Sequence, residues 1–362
     1  MSQNSALSIL ARDDAARHRA ELLATFAGRP NCVVGAFCLA DESLLRELVT
    51  DTLYLNLASN NHQTKDRIAS SPDHRAKLKG PAQLKDGLAG DAAMVRAFPN
   101  HHAKYWLAGL GELETPLGVL FSGDLTSSAL DPESSAGNSH ELLLVLSASE
   151  AMELRLFVRW LMACRPATEV LPKRELLLSG SLPRLPNFKS LLLTQPNKSL
   201  KREVLALIAE SRSSLDVTTW ALAGDHEVFA QLKAAAKHKQ VRLLIHDESG
   251  NRRALDELRE AGAQVRICPG MHAKVWIADR EDCPQAIVSS ANLMSDGLEV
   301  GYELGIRLGS TDPRIAELKA FIMARESLIT PLGPLLKPSP RSVQSLRDIP
   351  RLVHVAPRLR LF

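Results

Sequence analysis

The chain has 362 residues, of which 45% are hydrophobic, and it carries a formal net charge of +3. This length allows two domain-sized units or one duplicated unit, and so small a charge excludes a whole-molecule field that attracts polyanions. The five cysteines include no C-x-x-C pair, which argues against a zinc site and a disulfide framework. Because the sequence has no apolar run of about 18 residues and no signal-peptide core, we expect a cytoplasmic protein without a membrane span.

The first half begins with a helix that leads into a strand. Its later part contains a strand that starts with a His-x-Lys pair, an apolar strand that ends in small polar residues, and a strand that starts with a glutamate. A long helix closes this half. In chain order, these predicted elements occupy residues 21–37, 102–108, 118–128, 141–146 and 147–162, and a charged loop or insertion is predicted at 62–79.

The second half alternates strands and helices, which is typical of an α/β unit with a largely buried sheet. A helix and a strand span residues 203–220, and a helix at 312–328 closes the half. Strands are predicted at 215–221, 241–246, 265–268, 274–278, 286–289 and 303–308, and helices at 227–238 and 252–261. The expected domains are a first repeat over residues 1–164, a Pro-rich linker over 165–199, a second repeat over 200–330, and a basic Pro/Arg-rich tail over 331–362.

One octet occurs twice in the chain. Residues 102–109 read HAKYWLAG and residues 272–279 read HAKVWIAD, with five identical positions. Each octet is followed by the same kinds of strand in the same order, so the halves are interpreted as repeats of one unit. The tryptophans inside the octets, Trp106 and Trp276, are expected to pack in the core.

The repeated residues suit an anionic phosphodiester. Residues i and i+2 of a strand share a face, so His272 and Lys274 present an imidazole beside an ammonium, and Asn292 can add an amide at the same edge. Lysine and asparagine would hold the phosphate oxygens, while histidine can act as nucleophile or general acid. Glu303 is predicted to fix the tautomer of His272 through its other ring nitrogen.

A second copy can supply the second catalytic group. Cleavage through a covalent intermediate needs a nucleophile and a separate acid for the leaving oxygen. Two copies related by a pseudo-twofold axis place one histidine on each side of a single phosphate. The sequence therefore predicts one site built from both halves, with His102 and Lys104 opposite His272 and Lys274.

The pattern H-x-K-x(4)-D, followed by a small Ser-containing turn and a glutamate, resembles the signature (HKD motif) of the phospholipase D superfamily. This resemblance implies two α/β repeats, each a mixed sheet flanked by helices, that face each other across one cleft. It also implies phosphodiester chemistry through a phosphohistidine without a metal or cofactor. The second half matches the pattern at His272, Lys274, Asp279, Ser290, Asn292 and Glu303, and the first half at His102, Lys104, Ser122 and Glu141. The two serines, together with Asp124, are expected to bind substrate.

The first half departs from the pattern at two positions. Gly109 replaces the aspartate that stands at Asp279, but both follow a strand directly and the position is interpreted as structural; the tyrosyl-DNA phosphodiesterase branch of the superfamily also lacks this aspartate. Asp124 replaces Asn292. An ionised carboxylate near a phosphate would repel it, so Asp124 must be protonated, paired with Lys104 or turned away.

Three functions remain open from the sequence. The leading one is a metal-independent nuclease, with DNA expected more than RNA. It rests on the repeated motif, on the lack of a signal or membrane segment, and on local basic stretches at residues 65–79 and 337–360. Such an enzyme could work with a protein partner in a defence or repair system. The alternatives are a phospholipase or phosphatidyl transferase, and a nucleic-acid-binding module with weakened catalysis. The sequence does not decide which histidine attacks.

Overall fold

The computed structural model describes about half of residues 1–164 and most of the second half of the chain. The predicted loop at 62–79 and the tail at 331–362 lie outside the described residues. The described residues are 15–27, 29, 31–37, 53–58, 93–98, 100–111, 113–124, 139–163, 168–170, 184–247, 252–279 and 281–328.

The first half forms a seven-stranded mixed sheet with the strand order β6-β5-β4-β1-β2-β3-β7. β1, β2 and β3 run parallel, and the remaining neighbours pair antiparallel. The elements are α1 (Ala15–Phe26), β1 (Cys32–Ala36), β2 (Leu53–Ala58), β3 (Ala93–Phe98), β4 (Tyr105–Ala108), β5 (Leu117–Phe121), β6 (Leu143–Val145), α2 (Ala148–Ala163) and β7 (Thr168–Val170).

The second half forms another seven-stranded mixed sheet, with the order β11-β10-β9-β12-β13-β14-β8. Its elements are β8 (Leu191–Leu193), α3 (Ser199–Glu210), β9 (Ser214–Thr219), α4 (Glu227–Ala236), β10 (Gln240–Ile245), α5 (Arg252–Glu260), β11 (Gln264–Ile267), β12 (Lys274–Ala278), β13 (Gln285–Ser289), β14 (Leu304–Leu308) and α6 (Arg314–Leu328), with a π-helical turn at Asp296–Val300.

The two sheets contain the same six-stranded unit. β6-β5-β4-β1-β2-β3 of the first sheet corresponds to β14-β13-β12-β9-β10-β11 of the second, with the same parallel and antiparallel pairings. In both units the parallel strands come first in the chain, and the His-x-Lys strand then adds antiparallel beside the first of them. The prediction of a mixed α/β fold built from two repeats is therefore confirmed.

The segment predicted as a linker contributes a strand to each sheet. β7 pairs with β3 at one edge of the first sheet, and β8 pairs with β14 at one edge of the second. Residues 165–199 thus connect the halves and also complete both sheets. Among the described residues, none of the helices combines the length and apolar character needed to cross a membrane.

One hydrophobic core joins the halves. It contains apolar side chains of β4 and β5, of β12, β13 and β14, and of α2 and α6. A second cluster packs α3, α4 and α5 against the opposite face of the second sheet. Trp106 and Trp276 are 2% and 3% exposed, which confirms their assignment to the core.

Candidate active site

The repeated motifs lie at one edge of each sheet. His102 and His272 come just before β4 and β12, which run antiparallel to β1 and β9. The starts of β4 and β12 therefore lie at the carboxyl ends of β1 and β9, where open α/β sheets commonly bind their ligands. Asn292 follows the end of β13, and Glu303 precedes the start of β14, so they belong to the same edge.

Backbone hydrogen bonds join these two edges across the repeats. The N–H of His102 donates to the carbonyl of Tyr302 (3.0 Å), in the other half of the chain. In the corresponding place the carbonyl of His140 accepts from the N–H groups of His272 (3.2 Å) and Ala273 (2.9 Å). Each His-x-Lys segment is thus held against the segment that carries the other half's glutamate.

The histidines and glutamates pair crosswise, contrary to the predicted contact between Glu303 and His272. Nδ1 of His102 lies 2.7 Å from Oε1 of Glu303. Nδ1 of His272 lies 3.0 Å from Oε1 of Glu141. The physical reason is that the backbone contacts between the two edges bring each glutamate next to the opposite histidine.

Two serines hold the glutamates from behind. Ser122 donates to Oε2 of Glu141 at 2.6 Å and accepts from the N–H of Leu142. Ser290 donates to Glu303 and accepts from the N–H of Leu304. Both serines are buried, at 3% and 4% exposure. In this structure both hydroxyls are engaged with the carboxylates, so their contact with substrate stays a prediction and their observed role is to hold the glutamates.

The two lysines are buried but differ in their partners. Nζ of Lys104 lies 3.0 Å from Nε2 of His102 and 3.7 Å from Oδ1 of Asp124. Asp124 also accepts from the N–H of Phe37 (2.9 Å). Of the three states considered for this carboxylate, the structure therefore has the one paired with Lys104.

Lys274 has no hydrogen-bond partner within the described ranges, and its Nζ is buried. Burial lowers its pKa, as does the nearby charge of Lys104, and the glutamates on both sides offset only part of this, leaving a pKa of about 7. Oδ1 of Asn292 is likewise buried without a partner in the part of the chain that the structure describes. These two groups retain hydrogen-bonding capacity for a ligand.

The charges of the site shift the pKa values of its acids and bases. Burial alone would raise the pKa of Glu141, but His272, Lys274 and the hydrogen bond from Ser122 outweigh it and lower the pKa to about 2. The pKa of Glu303 is lowered in the same way, against burial, chiefly by His102. For His272, burial lowers the pKa and Glu141 offsets part of that effect.

Asp279 lies in the turn after β12 and does not pair with either histidine. Its Oδ1 accepts from the N–H groups of Arg212 (2.7 Å) and Ser213 (2.8 Å), which precede β9. Asp279 has a φ of 48° and Gly109, its counterpart, a φ of 76°, so both positions use the left-handed region that a tight turn requires. This geometry agrees with the structural role expected for the position.

Two aromatic rings beside the site histidines, and a third ring stacked on one of them, were not identified from the sequence. Phe37 follows β1, and its ring centroid lies 5.1 Å from that of His102. Trp220 follows β9, lies 5.1 Å from His272, and stacks on His246 at 3.7 Å and 9°. The available signal was positional, because Phe37 and Trp220 end the two helix–strand segments that resemble each other in the halves.

Comparison with solved structures gives the same fold at low sequence identity. A polyphosphate kinase from Porphyromonas gingivalis is similar with a TM-score of 0.53 and 16% identity, over 84% of this chain and 44% of that chain. This chain thus spans less than half the length of the kinase. Phosphatidylserine synthase from Haemophilus influenzae Rd KW20 is similar with a TM-score of 0.57 and 13% identity, over 90% of this chain and 86% of the synthase.

A phospholipase D family member from Salmonella typhimurium, Nuc, matches 39% of this chain and 94% of its own length, at 19% identity and a TM-score of 0.34. A TM-score this low supports no inference about the fold or function of this chain. Among curated proteins, none matches this sequence. Within the described ranges, no group of three or more His, Cys, Asp or Glu side chains is arranged to hold a metal ion.

The sequence of the second half matches a family model directly. The model is that of the PLD-like domain of cardiolipin synthase, and it matches residues 204–321. The matched region runs from α3 into α6 and contains His272, Lys274, Asn292 and Glu303. The first half repeats the same six-stranded unit with two substitutions in the motif. The resemblance to the phospholipase D superfamily is therefore confirmed for residues 204–321, and the first half shares the six-stranded unit of that region.

Proposed function

We propose that the protein is a metal-independent phosphodiesterase that forms a phosphohistidine at a single site shared by the two repeats. The observation that carries this proposal is the crosswise pairing of each histidine with the glutamate of the other half. A histidine whose Nδ1 is held by a carboxylate directs Nε2 outward, and it becomes a stronger base. The side chains of His102 and His272 are 22% and 18% exposed, so a ligand can reach both rings.

The asymmetry between the repeats supports different roles for the two histidines. Nε2 of His102 is in contact with Lys104, which occupies its lone pair. Among the described residues, Nδ1 of His272 has a hydrogen-bond partner, Glu141, and Nε2 of His272 has none. We assign the attack to His272 and the proton transfers to His102.

In the first step, the Nε2 lone pair of His272 attacks phosphorus and the bond to the leaving oxygen breaks. His102, protonated on both ring nitrogens in the reactive state and held at Nδ1–H by Glu303, donates its Nε2 proton to that oxygen and becomes neutral. For this donation Lys104 must leave the ring of His102 for the phosphate oxygens, where it joins Lys274 and the side chain of Asn292 in balancing the developing charge. In the second step His102 takes a proton from water, the water oxygen attacks phosphorus, and the P–N bond breaks.

Nucleic acid is the proposed substrate, and DNA is favoured over RNA. The support for a nucleic acid, though not for DNA over RNA, is the pair of basic stretches at residues 65–79 and 337–360, because clustered lysines and arginines bind a phosphate backbone. Both stretches lie outside the described residues. Lipid phosphodiester transfer is the second candidate, supported by the likeness in fold to phosphatidylserine synthase.

The test is an incubation of purified protein in EDTA with labelled single-stranded DNA, duplex DNA, RNA, and liposomes with labelled headgroups. We expect cleavage of nucleic acid, a fall of about 10²–10⁴-fold in His102→Ala, and no turnover in His272→Ala. His238→Ala, an exposed histidine on the surface, is the control and should remain fully active. Release of headgroup alone would favour the lipid candidate. Salt-sensitive binding with no turnover of any substrate would leave only a binding module.

A further inference from the structure

Trp220 lies at the mouth of the site with much of its ring accessible to solvent. It is 36% exposed, whereas the tryptophans of the two repeated octets, Trp106 and Trp276, are 2% and 3% exposed. Its indole is in edge contact with His272, with a centroid distance of 5.1 Å and an angle of 73°. An exposed tryptophan beside the proposed nucleophile is not explained by core packing.

His246 makes this ring a rigid surface. Its imidazole covers one face of Trp220 in a nearly parallel stack of 3.7 Å and 9°. Nδ1 of His246 accepts from the N–H of Gly270 at 2.8 Å, and the carbonyl of Gly270 accepts from the N–H of His140 in the other half. The stack is thus tied to the backbone segment that also positions His272, so a ligand would find it already ordered.

Among the described residues of the first repeat, no aromatic ring is exposed beside His102 in the way that Trp220 is exposed beside His272. Phe37, the counterpart of Trp220, is only partly exposed. Its ring lies beside His102, and the ammonium of Lys104 lies 6.0 Å from its centroid. Both neighbours belong to the site, so Phe37 already packs against catalytic groups. The exposed aromatic surface is therefore on one side of the cleft, next to His272.

We propose that Trp220, backed by His246, is a stacking subsite for the nucleobase next to the scissile phosphate. This inference rests on the proposed phosphodiesterase function and specifies its substrate as nucleic acid with an unstacked base. A base needs one flat face, and stacking on an aromatic side chain tolerates any base sequence. A lipid chain would need a continuous apolar surface, but this ring contacts the imidazoles of His246 and His272. Oδ2 of Asp247 lies 4.0 Å from Nε2 of His246.

The experiment compares two esters with the same leaving group. The p-nitrophenyl ester of thymidine 5′-monophosphate carries a base, and methyl p-nitrophenyl phosphate does not. The readout is the ratio of the two kcat/KM values within each variant, so that any general loss from the contact between Trp220 and His272 cancels. We expect a ratio of about 10 or more in the wild type, a fall of about tenfold in Trp220→Ala, and a partial fall in Trp220→Phe. Phe37→Ala is the matched control and should leave the ratio near the wild-type value.

Binding is measured alongside, as the ratio of Kd values for fluorescein-labelled oligothymidylate and an abasic oligomer of equal length. We expect tighter binding of oligothymidylate, with this preference lost in Trp220→Ala. If the wild type cleaves both esters but neither ratio changes in Trp220→Ala, the subsite is refuted and the phosphodiesterase stands. If neither ester is cleaved, the proposed function fails, and the binding ratio alone supports or overturns the stacking surface.

Discussion

Single residues of the site depend on partners from the other half of the chain. Glu141 and Glu303 each face the histidine of the opposite repeat, and each is held by a serine from its own repeat. The residue types and their spacing predicted that the motif histidines and glutamates lie together. They could not predict the crosswise pairing, because the pairing depends on how two distant edges meet and not on any local pattern.

The crossed pairs can be tested by exchanging one carboxylate at a time. Glu141→Gln removes the charge that partly restores the pKa of His272, so we expect that pKa to fall further below its ordinary value. Glu303→Gln is the matched control, since Glu303 faces His102, and it should leave the titration of His272 in place. The measurement is an NMR pH titration of the histidine side chains. A larger response of His272 to Glu303→Gln would show that the pairs are not crossed.

The buried ammonium of Lys274 is expected to lower the free energy of unfolding when no ligand is bound. Its ammonium is buried without a hydrogen bond among the described residues, and Lys274→Met should raise the free energy of unfolding by about 1–2 kcal/mol while abolishing turnover. The pKa of Lys274 is about 7 in the folded chain and about 10.4 when unfolded. Below pH 7 the buried lysine is charged in the wild type, so the increase in unfolding free energy caused by Lys274→Met should be full there. It should shrink as the pH rises above 7, because the folded wild type then loses this charge.

Urea unfolding at several pH values measures this gain. The control is Lys237→Met, an exposed lysine after α4, which should change stability by less than about 0.5 kcal/mol at every pH. A loss of stability in Lys274→Met at pH 6 would contradict the account. That result would mean that the ammonium stabilises the fold.

At the scale of elements, periodicity predicted the second half closely. The strand predicted at 274–278 coincides with β12, and most other predicted strands and helices of this half differ by one or two residues at their ends. The strands of the first half were harder to predict. In that half 34 residues, 59 to 92, connect β2 and β3, whereas 18 residues, 246 to 263, connect β10 and β11. A long connection obscures the alternation on which such predictions rest.

The turn after β12 tests the structural role of Asp279. Asp279→Ala removes the acceptor for the N–H groups of Arg212 and Ser213 and places alanine at a positive φ. We expect a loss of about 1–2 kcal/mol in unfolding free energy with kcat of the folded enzyme retained. Asp282→Ala, at an exposed position of the same loop, is the control. Loss of kcat at full stability would instead assign Asp279 to the chemistry.

At the scale of the whole molecule, a shared core and a buried ion pair hold the repeats together. Arg314 of α6 makes two hydrogen bonds with Glu150 of α2, at 2.8 and 2.7 Å. Arg314 also contacts Asp312, and the core around these helices contains side chains from both sheets. The position of both histidines therefore depends on the docking of one half on the other.

Removing this ion pair should weaken the whole chain. Glu150→Ala leaves the guanidinium of Arg314 with less compensation, and we expect a loss of about 3–5 kcal/mol. Because the core is shared, the denaturant midpoint from circular dichroism should equal that from tryptophan fluorescence, in the wild type and again in Glu150→Ala. Glu260→Ala, on the exposed end of α5, is the control. Two separated transitions in the wild type would show that the repeats are stable independently.

The central claim is that both histidines act on one phosphate, and a burst experiment tests it most directly. With methyl p-nitrophenyl phosphate the leaving group needs no acid, so attack and hydrolysis can be separated. We predict that His102→Ala releases one p-nitrophenolate per chain and then stalls with a phosphoryl group on His272, whereas His272→Ala releases none. Two equivalents per chain, or steady turnover of either variant at the wild-type rate, would contradict a single shared site.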